Sequence, residues 1–281
     1  AFAGFESLDT ILLANEVTSV GKNAFSGCIS LKNVVLPERV SSIGAFAFND
    51  CASLAQFIIP SDVTTIEAHT FAGCKKLAEI TIPAAVTEIG DGAFEGCMCL
   101  RQIVVPEKVS HIGERAFADC DSLADAGFAS KNLQSVGKDA FAACTSLAKV
   151  TVEELGAWSE TDFANVAANP LSLAKHLYSG GKLVKQLTLP EGTTRVSAYA
   201  FYNCADLTGV AVPDSVTSIG EWAFYGCNNL KSIALPFVGS GRGVSGSYDA
   251  VFGYIFGSKT SSASGAVQQS YSVSDSRYYY I

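Results

Sequence analysis

The sequence predicts a strand-rich solenoid, a fold made by stacking short coils along one axis, and three observations carry that expectation. An aromatic anchor recurs as Phe2, Phe25, Phe48, Phe71, Phe94, Phe117, Phe141, Phe201 and Phe224, spaced by 23 residues five times and then by 24, 60 and 23. Eight of these anchors are followed three residues later by a cysteine, and each cysteine three residues later by a leucine, as in Phe94, Cys97 and Leu100. A short alternating apolar stretch closed by proline comes next, as in Ile80-Thr81-Ile82-Pro83. Self-similarity at a fixed period of this length is the mark of a repeat architecture.

Each part of the unit has a structural reading. Period-2 alternation of β-branched residues, as in Val210-Ala211-Val212-Pro213, predicts a short strand. Proline lacks a donor and has a fixed φ, so Pro37, Pro60, Pro83, Pro106, Pro190, Pro213 and Pro236 end the ladder and turn the chain. A V-x-x-I-G segment, such as Val86/Ile89/Gly90 or Val216/Ile219/Gly220, then predicts a second extended piece before the compact A-F-x-x-C turn. One unit has no second layer to bury its inward residues against, so stacking on its neighbours closes the core. Identical residues then lie above one another about 4.8 Å apart, the spacing of strands in a sheet.

Composition narrows the function classes. The 281 residues are 48% hydrophobic and 16% charged, which excludes general disorder. A net charge of −8 without a basic run argues against nucleic acid or an anionic membrane as the main partner. No apolar run approaches the roughly 18 residues of a membrane span. The chain starts at AFAG without Met or a signal peptide, so a mature or excised fragment is expected and localisation is not directly encoded.

A unit of the form L-x-x-I-x-I-P-x-x-V-x-x-I-G-x-x-A-F-x-x-C resembles the 23-residue, Treponema-type leucine-rich repeat of BspA-like bacterial surface proteins, matching residues 1–152 and 183–236 unit by unit. The resemblance implies an α/β leucine-rich repeat solenoid. It would be right-handed and curved, strand-rich with short turns and 3-10 segments, and would carry one helical and hairpin insertion. It also implies a secreted or cell-surface, non-catalytic protein that acts in recognition or adhesion without a cofactor. The expected partner is an extracellular protein such as a host matrix protein. The alternative is a structural spacer presenting other parts of a longer surface protein.

The departures divide the chain into repeats (1–152), an insertion elaborating one repeat (153–182), further repeats (183–236) and an irregular C-terminal segment packing on the solenoid (237–281). After Cys120, Ala126 and Gly127 replace strand residues and proline is missing, so the ladder is expected to be weakest there. In the insertion, Leu155 and Trp158 stand at helical spacing, and Asn169-Pro170 reads as an N-cap followed by proline at the first helical position. Ser179-Gly180-Gly181 reads as a hairpin turn. Trp158 and Phe163 are expected to cover a widened rung. By the family resemblance, the irregular C-terminal segment leads into a truncated further repeat, with the closing YYYI in its strand.

Residues of chemical type form no convincing constellation. Zinc would need converging ligands such as paired C-x-x-C units, and none occurs. Disulfides between rungs are compatible with the Cα spacing, but stacked Cβ atoms are further apart than the roughly 3.8 Å a bridge needs. Phe5 stands in the cysteine position of the first copy, as if the slot accepted a pure hydrophobe. Reduced, buried thiols are therefore expected. Cys99 lies off the ladder as an ordinary, partly buried residue. GRGVSG at 241–246 matches a dinucleotide fingerprint only formally, without strand, helix or acidic partner in place. His69, His111 and His176 occupy unrelated repeat positions and are expected to be solvated, as are Glu153-Glu154, Glu160 and Asp162.

Function is expected instead on the outward residues of the predicted strands. One column runs through Asn33, Gln56, Glu79 and Gln102, and a second, more apolar one through Val35, Ile58, Thr81 and Val104. Exposed apolar rows often mark interaction sites, although strand propensity alone would also select such residues. These eight residues form the candidate protein-binding surface.

Overall fold

The computed structural model describes residues 2–244 and 252–257, together with the backbone of the strands Gln268–Ser270 and Tyr278–Tyr280. The chain coils as a strand-rich solenoid with few helices. One side of the coil carries the longer strands Thr10–Leu12, Asn33–Val35, Gln56–Ile58, Glu79–Thr81, Gln102–Val105, Asp125–Phe128 and Lys149–Val152. Where they pair they are parallel and in repeat register, with Gln56 opposite Glu79 and Ile58 opposite Thr81. A second side carries two-residue strands such as Thr65–Ile66, Glu88–Ile89 and His111–Ile112, also parallel. Gly90 at the end of one of these lies so close to the rung below that a Cβ there would stand 2.7 Å from the Ala68 amide nitrogen.

The third side is the A-F-x-x-C turn, and it too is laddered. The amide of Phe48 donates to Thr70 O at 2.9 Å, that of Phe71 to Ala93 O at 2.9 Å and that of Phe94 to Ala116 O at 2.8 Å. Backbone groups are thus satisfied from repeat to repeat on all three sides. The turn closes through left-handed backbone two residues before and two after each Phe. His69 and Gly73 flank Phe71 at φ 53° and 70°, and Tyr199 and Asn203 flank Phe201 at 63° and 61°.

Within a coil the alternation sorts residues cleanly. Leu54, Phe57, Ile59, Val63, Ile66, Phe71 and Cys74 are buried, while Gln56 and Ile58 between them are exposed. The Phe rings stack along the axis, Phe71 on Phe94 at 5.5 Å and Phe94 on Phe117 at 5.3 Å, with interplanar angles of 9° and 4°. Parallel, offset rings of this kind add to the area they bury.

The unit after Cys120 overturns the expectation of a weak rung. Asp125–Phe128 pairs with four residues on each side, Gln102–Val105 and Lys149–Val152. The missing proline is the cause. Ala129 stands in its place and donates its amide to Val105 O at 3.0 Å, and Glu153, also in a proline position, donates to Phe128 O at 3.1 Å. Phe128, 2% exposed, packs its ring against Phe141 and Trp158.

The insertion contains α1 (Leu155–Glu160), a 3-10 turn (Val166–Ala168), α2 (Leu171–Ala174) and the expected hairpin Leu177–Ser179/Lys182–Leu183 around Gly180 and Gly181. Pro170, not Asn169, stands at the N-cap of α2, and the Asn169 side chain just before it accepts the Leu171 amide at 2.9 Å. The region stays in repeat register. Asp162–Phe163 pairs with Ser135–Val136, and Leu177 with Val150. Phe141 donates its amide to Ala167 O at 3.0 Å as other Phe residues do to the residue before the next anchor. Ala168 therefore occupies the Phe position, and the 60-residue gap is two elaborated coils rather than one repeat plus an insert. Trp158 packs against the rings of Phe128 and Phe163, with centroids 4.9 Å and 5.0 Å away, and donates its Nε1 to Ala200 O at 2.8 Å. Both Trp158 and Phe163 are buried, as expected for cover of a widened rung.

Beyond Pro236, α3 (Phe252–Phe256) continues the ring ladder, with Phe256 stacked on Phe224 at 5.8 Å and Ile255 O accepting the Phe224 amide at 3.0 Å. Tyr278–Tyr280 is a strand, but it pairs antiparallel with Gln268–Ser270 and not as a parallel rung. Most of the remaining C-terminal segment, including Ser245 and Gly246 of GRGVSG and Ile281 of YYYI, lies outside the described residues. The described part of GRGVSG opens no helix. Gly241 bridges to Ser218, and Arg242 donates to Asp214 O at 2.9 Å.

Candidate functional site

The longer strands display the sequence-predicted columns on their outer face. Asn33, Val35, Gln56, Ile58, Glu79, Thr81, Gln102 and Val104 are all exposed, while Phe57, Ile103 and Val105 between or beside them are buried. Leu12 extends the apolar column by one rung at 77% exposure, followed by Val35 at 55%, Ile58 at 85% and Val104 at 59%. Two shallow grooves flank Ile58. One, of about 470 Å³, runs between it and Val35 with Lys32 and Lys76 at its rim. The other, of about 760 Å³, runs between Ile58 and Thr81 and continues to Pro83. Six of the eight predicted residues line one or both grooves; Gln102 and Val104 lie one rung further on.

The character of this face changes along the axis. Gly127 interrupts the apolar column, and beyond it Lys149 bridges to Asp125 at 2.8 Å and lies over the Tyr178 ring at 5.4 Å. Thr151 Oγ1, in the same column, is the one buried side-chain polar atom among the described residues without a hydrogen-bond partner.

Residues considered for chemistry are engaged elsewhere. All nine cysteines are free. Seven ladder thiols donate to the carbonyl of the Phe one coil back, from Cys28 to Phe2 O at 3.1 Å through Cys120 to Phe94 O at 3.2 Å. The slot therefore uses the S–H donor as well as the apolar volume. Phe5 does not show the contrary: its ring is 57% exposed, in contact with Phe2, and fills no buried slot. Burial pushes the thiols up, to about 12 for Cys51, Cys144 and Cys227 and well above the ordinary range for Cys74, Cys97, Cys120 and Cys204. Cys99 is exposed, not partly buried as expected.

All three histidines and two carboxylates expected to be merely solvated have partners; His111 Nδ1 lies 2.8 Å from Ser110 Oγ. His69 stacks on Phe46 at 4.7 Å, and His176 Nδ1 lies 2.6 Å from Asp206. Glu160 accepts from the Thr194 amide at 2.6 Å and its hydroxyl at 2.9 Å, and Asp162 pairs with Arg195 at 2.7 Å. The Glu160 and Asp162 contacts join the insertion to the following repeats at a charged groove of about 780 Å³. Their only trace in the sequence was the carboxylate cluster itself, because the partners arrive 33 and 34 residues later. Among the described residues no group of three or more His, Cys, Asp or Glu is arranged to hold a metal ion, and no helix is long and apolar enough to cross a membrane.

Comparisons with known proteins agree with the repeat. The BspA type leucine rich repeat region matches in six copies over residues 1–124, 126–182 and 172–240. Among solved structures, a leucine-rich repeat protein from Bacteroides ovatus is 28% identical, with 81% of this chain and 63% of that one covered and a TM-score of 0.49. A leucine rich cell surface protein from Faecalibacterium prausnitzii is 24% identical over 92% of this chain and 79% of its own, at a TM-score of 0.46. The T. pallidum leucine rich repeat protein is 28% identical over 79% and 81%, at 0.42. No curated protein matches the chain significantly. The chain thus spans under two thirds of the length of the Bacteroides protein. With the repeat model matched over most of its length, the chain belongs to the BspA-type leucine-rich repeat family.

Proposed function

We propose that the chain is a non-catalytic recognition module of a secreted or cell-surface bacterial protein, and that it takes a protein ligand on the outer face of its longer strands. The observation that carries this reading is the row Leu12, Val35, Ile58 and Val104, exposed on successive or near-successive rungs and bordered by two grooves. Exposed apolar patches rimmed by polar groups are typical of interaction surfaces. Asn33, Gln56, Glu79 and Gln102 supply that polar rim. Membership of a leucine-rich repeat family supports protein binding as the general role. The proposed ligand is an extracellular protein such as a host matrix component, with adhesion as the outcome.

The test is binding of the purified chain to immobilised extracellular-matrix proteins and to intact cells, beside a variant with Gln56, Ile58, Gln102 and Val104 changed to alanine. At least tenfold weaker binding by the variant is expected. Undiminished binding would remove this face from the proposal, and absence of binding by the parent chain would assign it the role of a rigid spacer.

A further inference from the structure

The turn side of the second repeat block holds a different feature. Tyr199, Tyr202, Trp222 and Tyr225 form a connected aromatic cluster, in which Tyr202 and Tyr225 are stacked at 4.9 Å and 12°. Tyr202 and Tyr225 each follow a ladder Phe by one residue, so their rings stack from coil to coil as the Phe rings do. The next position of that stack belongs to Asn169, one residue after Ala168. Its side chain does not continue the stack. It is fully buried, accepts the Leu171 amide at 2.9 Å and donates to Tyr199 O at 2.7 Å.

A groove of about 550 Å³ lies at this break. Tyr199 and Tyr202 form one wall and Ala142, Ala143 and Ala167 the opposite one, with Leu173, 40% exposed, alongside. Tyr225 lies on one side of the Tyr202 ring and does not line the groove, so the groove runs along the other side. Asn165, Ser172 and Asn203 also line it, and no charged side chain does. The site therefore combines an aromatic face, small opposing residues and neutral polar groups, the mixture that orients a ligand by a few hydrogen bonds within an otherwise apolar pocket.

We propose that this groove binds a neutral saccharide, with the apolar face of a sugar ring taking the vacant place in the Tyr225–Tyr202 stack and its hydroxyls bonding to the Tyr199 and Tyr202 phenols. A sugar ring suits the site because it is apolar on its face and hydroxylated at its rim, and tyrosine offers the complementary pattern with little conformational entropy to lose. The Asn165 and Asn203 amides are already engaged, by Asp139 and by Ser172 O, so the polar contacts fall to the two phenols, which a purely apolar ring would not use. An anionic ligand would find no cation among the lining residues. Burial pushes both phenols up, so each remains able to donate as well as accept. The site lies on the turn side, not on the strand face assigned to protein recognition, and stands or falls independently of it.

The test is a panel of neutral oligosaccharides of glucose, galactose, mannose and N-acetylglucosamine, measured by calorimetry and saturation-transfer NMR on the whole chain. Saturable binding of at least one is expected, weakened at least tenfold by Tyr202→Ala and by Leu173→Arg, retained in large part by Tyr202→Phe, and unchanged by Ile58→Ser. Leu173→Arg fills the groove from an exposed position, so the test does not depend on Tyr202→Ala folding. No binding across the panel, binding indifferent to both Tyr202→Ala and Leu173→Arg, or tighter binding of a tyrosine-containing peptide at the same site would overturn the proposal.

Discussion

The thiol of Cys97 donates to the carbonyl oxygen of Phe71 at 3.3 Å, and the same oxygen accepts the amide of Cys74 at 3.1 Å. Both lone pairs of a buried carbonyl are thereby used, one by its own turn and one by the next coil. The cysteine slot is a packing position with a donor, which accounts for a small, polarizable side chain recurring there.

Thiol accessibility follows directly. In the folded chain, a thiol reagent at neutral pH should label Cys99 and leave the eight ladder cysteines unlabelled, whereas denaturation without reductant should expose all nine. The raised thiols also set a pH dependence. Their folded values lie above the ordinary 9.0, at about 12 for Cys51, Cys144 and Cys227. Above about pH 9 the unfolded chain loses protons that the folded chain keeps, so stability present at lower pH is lost as pH rises. Each such thiol contributes a slope of up to about 1.4 kcal/mol per pH unit between those values. Denaturant midpoints measured from pH 7 to 11 should fall steeply above pH 9; a flat profile would contradict ionisable, buried thiols.

Restoring the repeat's own proline should harm the fold at one place. Ala129→Pro matches the consensus but removes the N–H that bonds Val105 O. A loss of about 1 kcal/mol is expected from that bond alone, read from urea unfolding. A gain in stability would show that the extended rung contributes nothing.

Relief of backbone strain should act in the other direction. Ala143 is exposed at φ 58°, where four sister turns place Gly27, Gly73, Gly96 and Gly226 and three others place Asp50, Asp119 and Asn203. A left-handed conformation costs a Cβ-bearing residue about 1–2 kcal/mol, partly offset by the greater entropy glycine loses on folding. Ala143→Gly should therefore stabilise the chain by about 0.5–1 kcal/mol in thermal or urea unfolding. Destabilisation would mean that the methyl group packs productively.

How far the sequence could be read is clear from particular residues. Phe94, Cys97 and Leu100 declared the ladder because a regular coil presents the same contact at every turn, so spacing alone carries the geometry. The eight predicted strand residues proved exposed because period-2 alternation sends neighbours to opposite faces. Reading failed where one element substitutes for another. Ala168 hid a coil by taking a Phe position, which leaves no aromatic mark in the sequence. Asp125–Phe128 looked weak by composition because the amide of Ala129 contributes to pairing and leaves no mark in a side-chain pattern.

By itself, then, the sequence determined the stacked coil, its buried Phe, Cys and Leu columns and the exposed outer face of the longer strands, since these depend on local period and on burial between like neighbours. Only the tertiary structure decided where the stack is interrupted and what stands in the break. Asn169 turning inward, Glu160 reaching Thr194 and the groove beneath Tyr202 join residues about 30 or more positions apart, and such contacts arise from how unlike coils fit together, which no repeat period encodes.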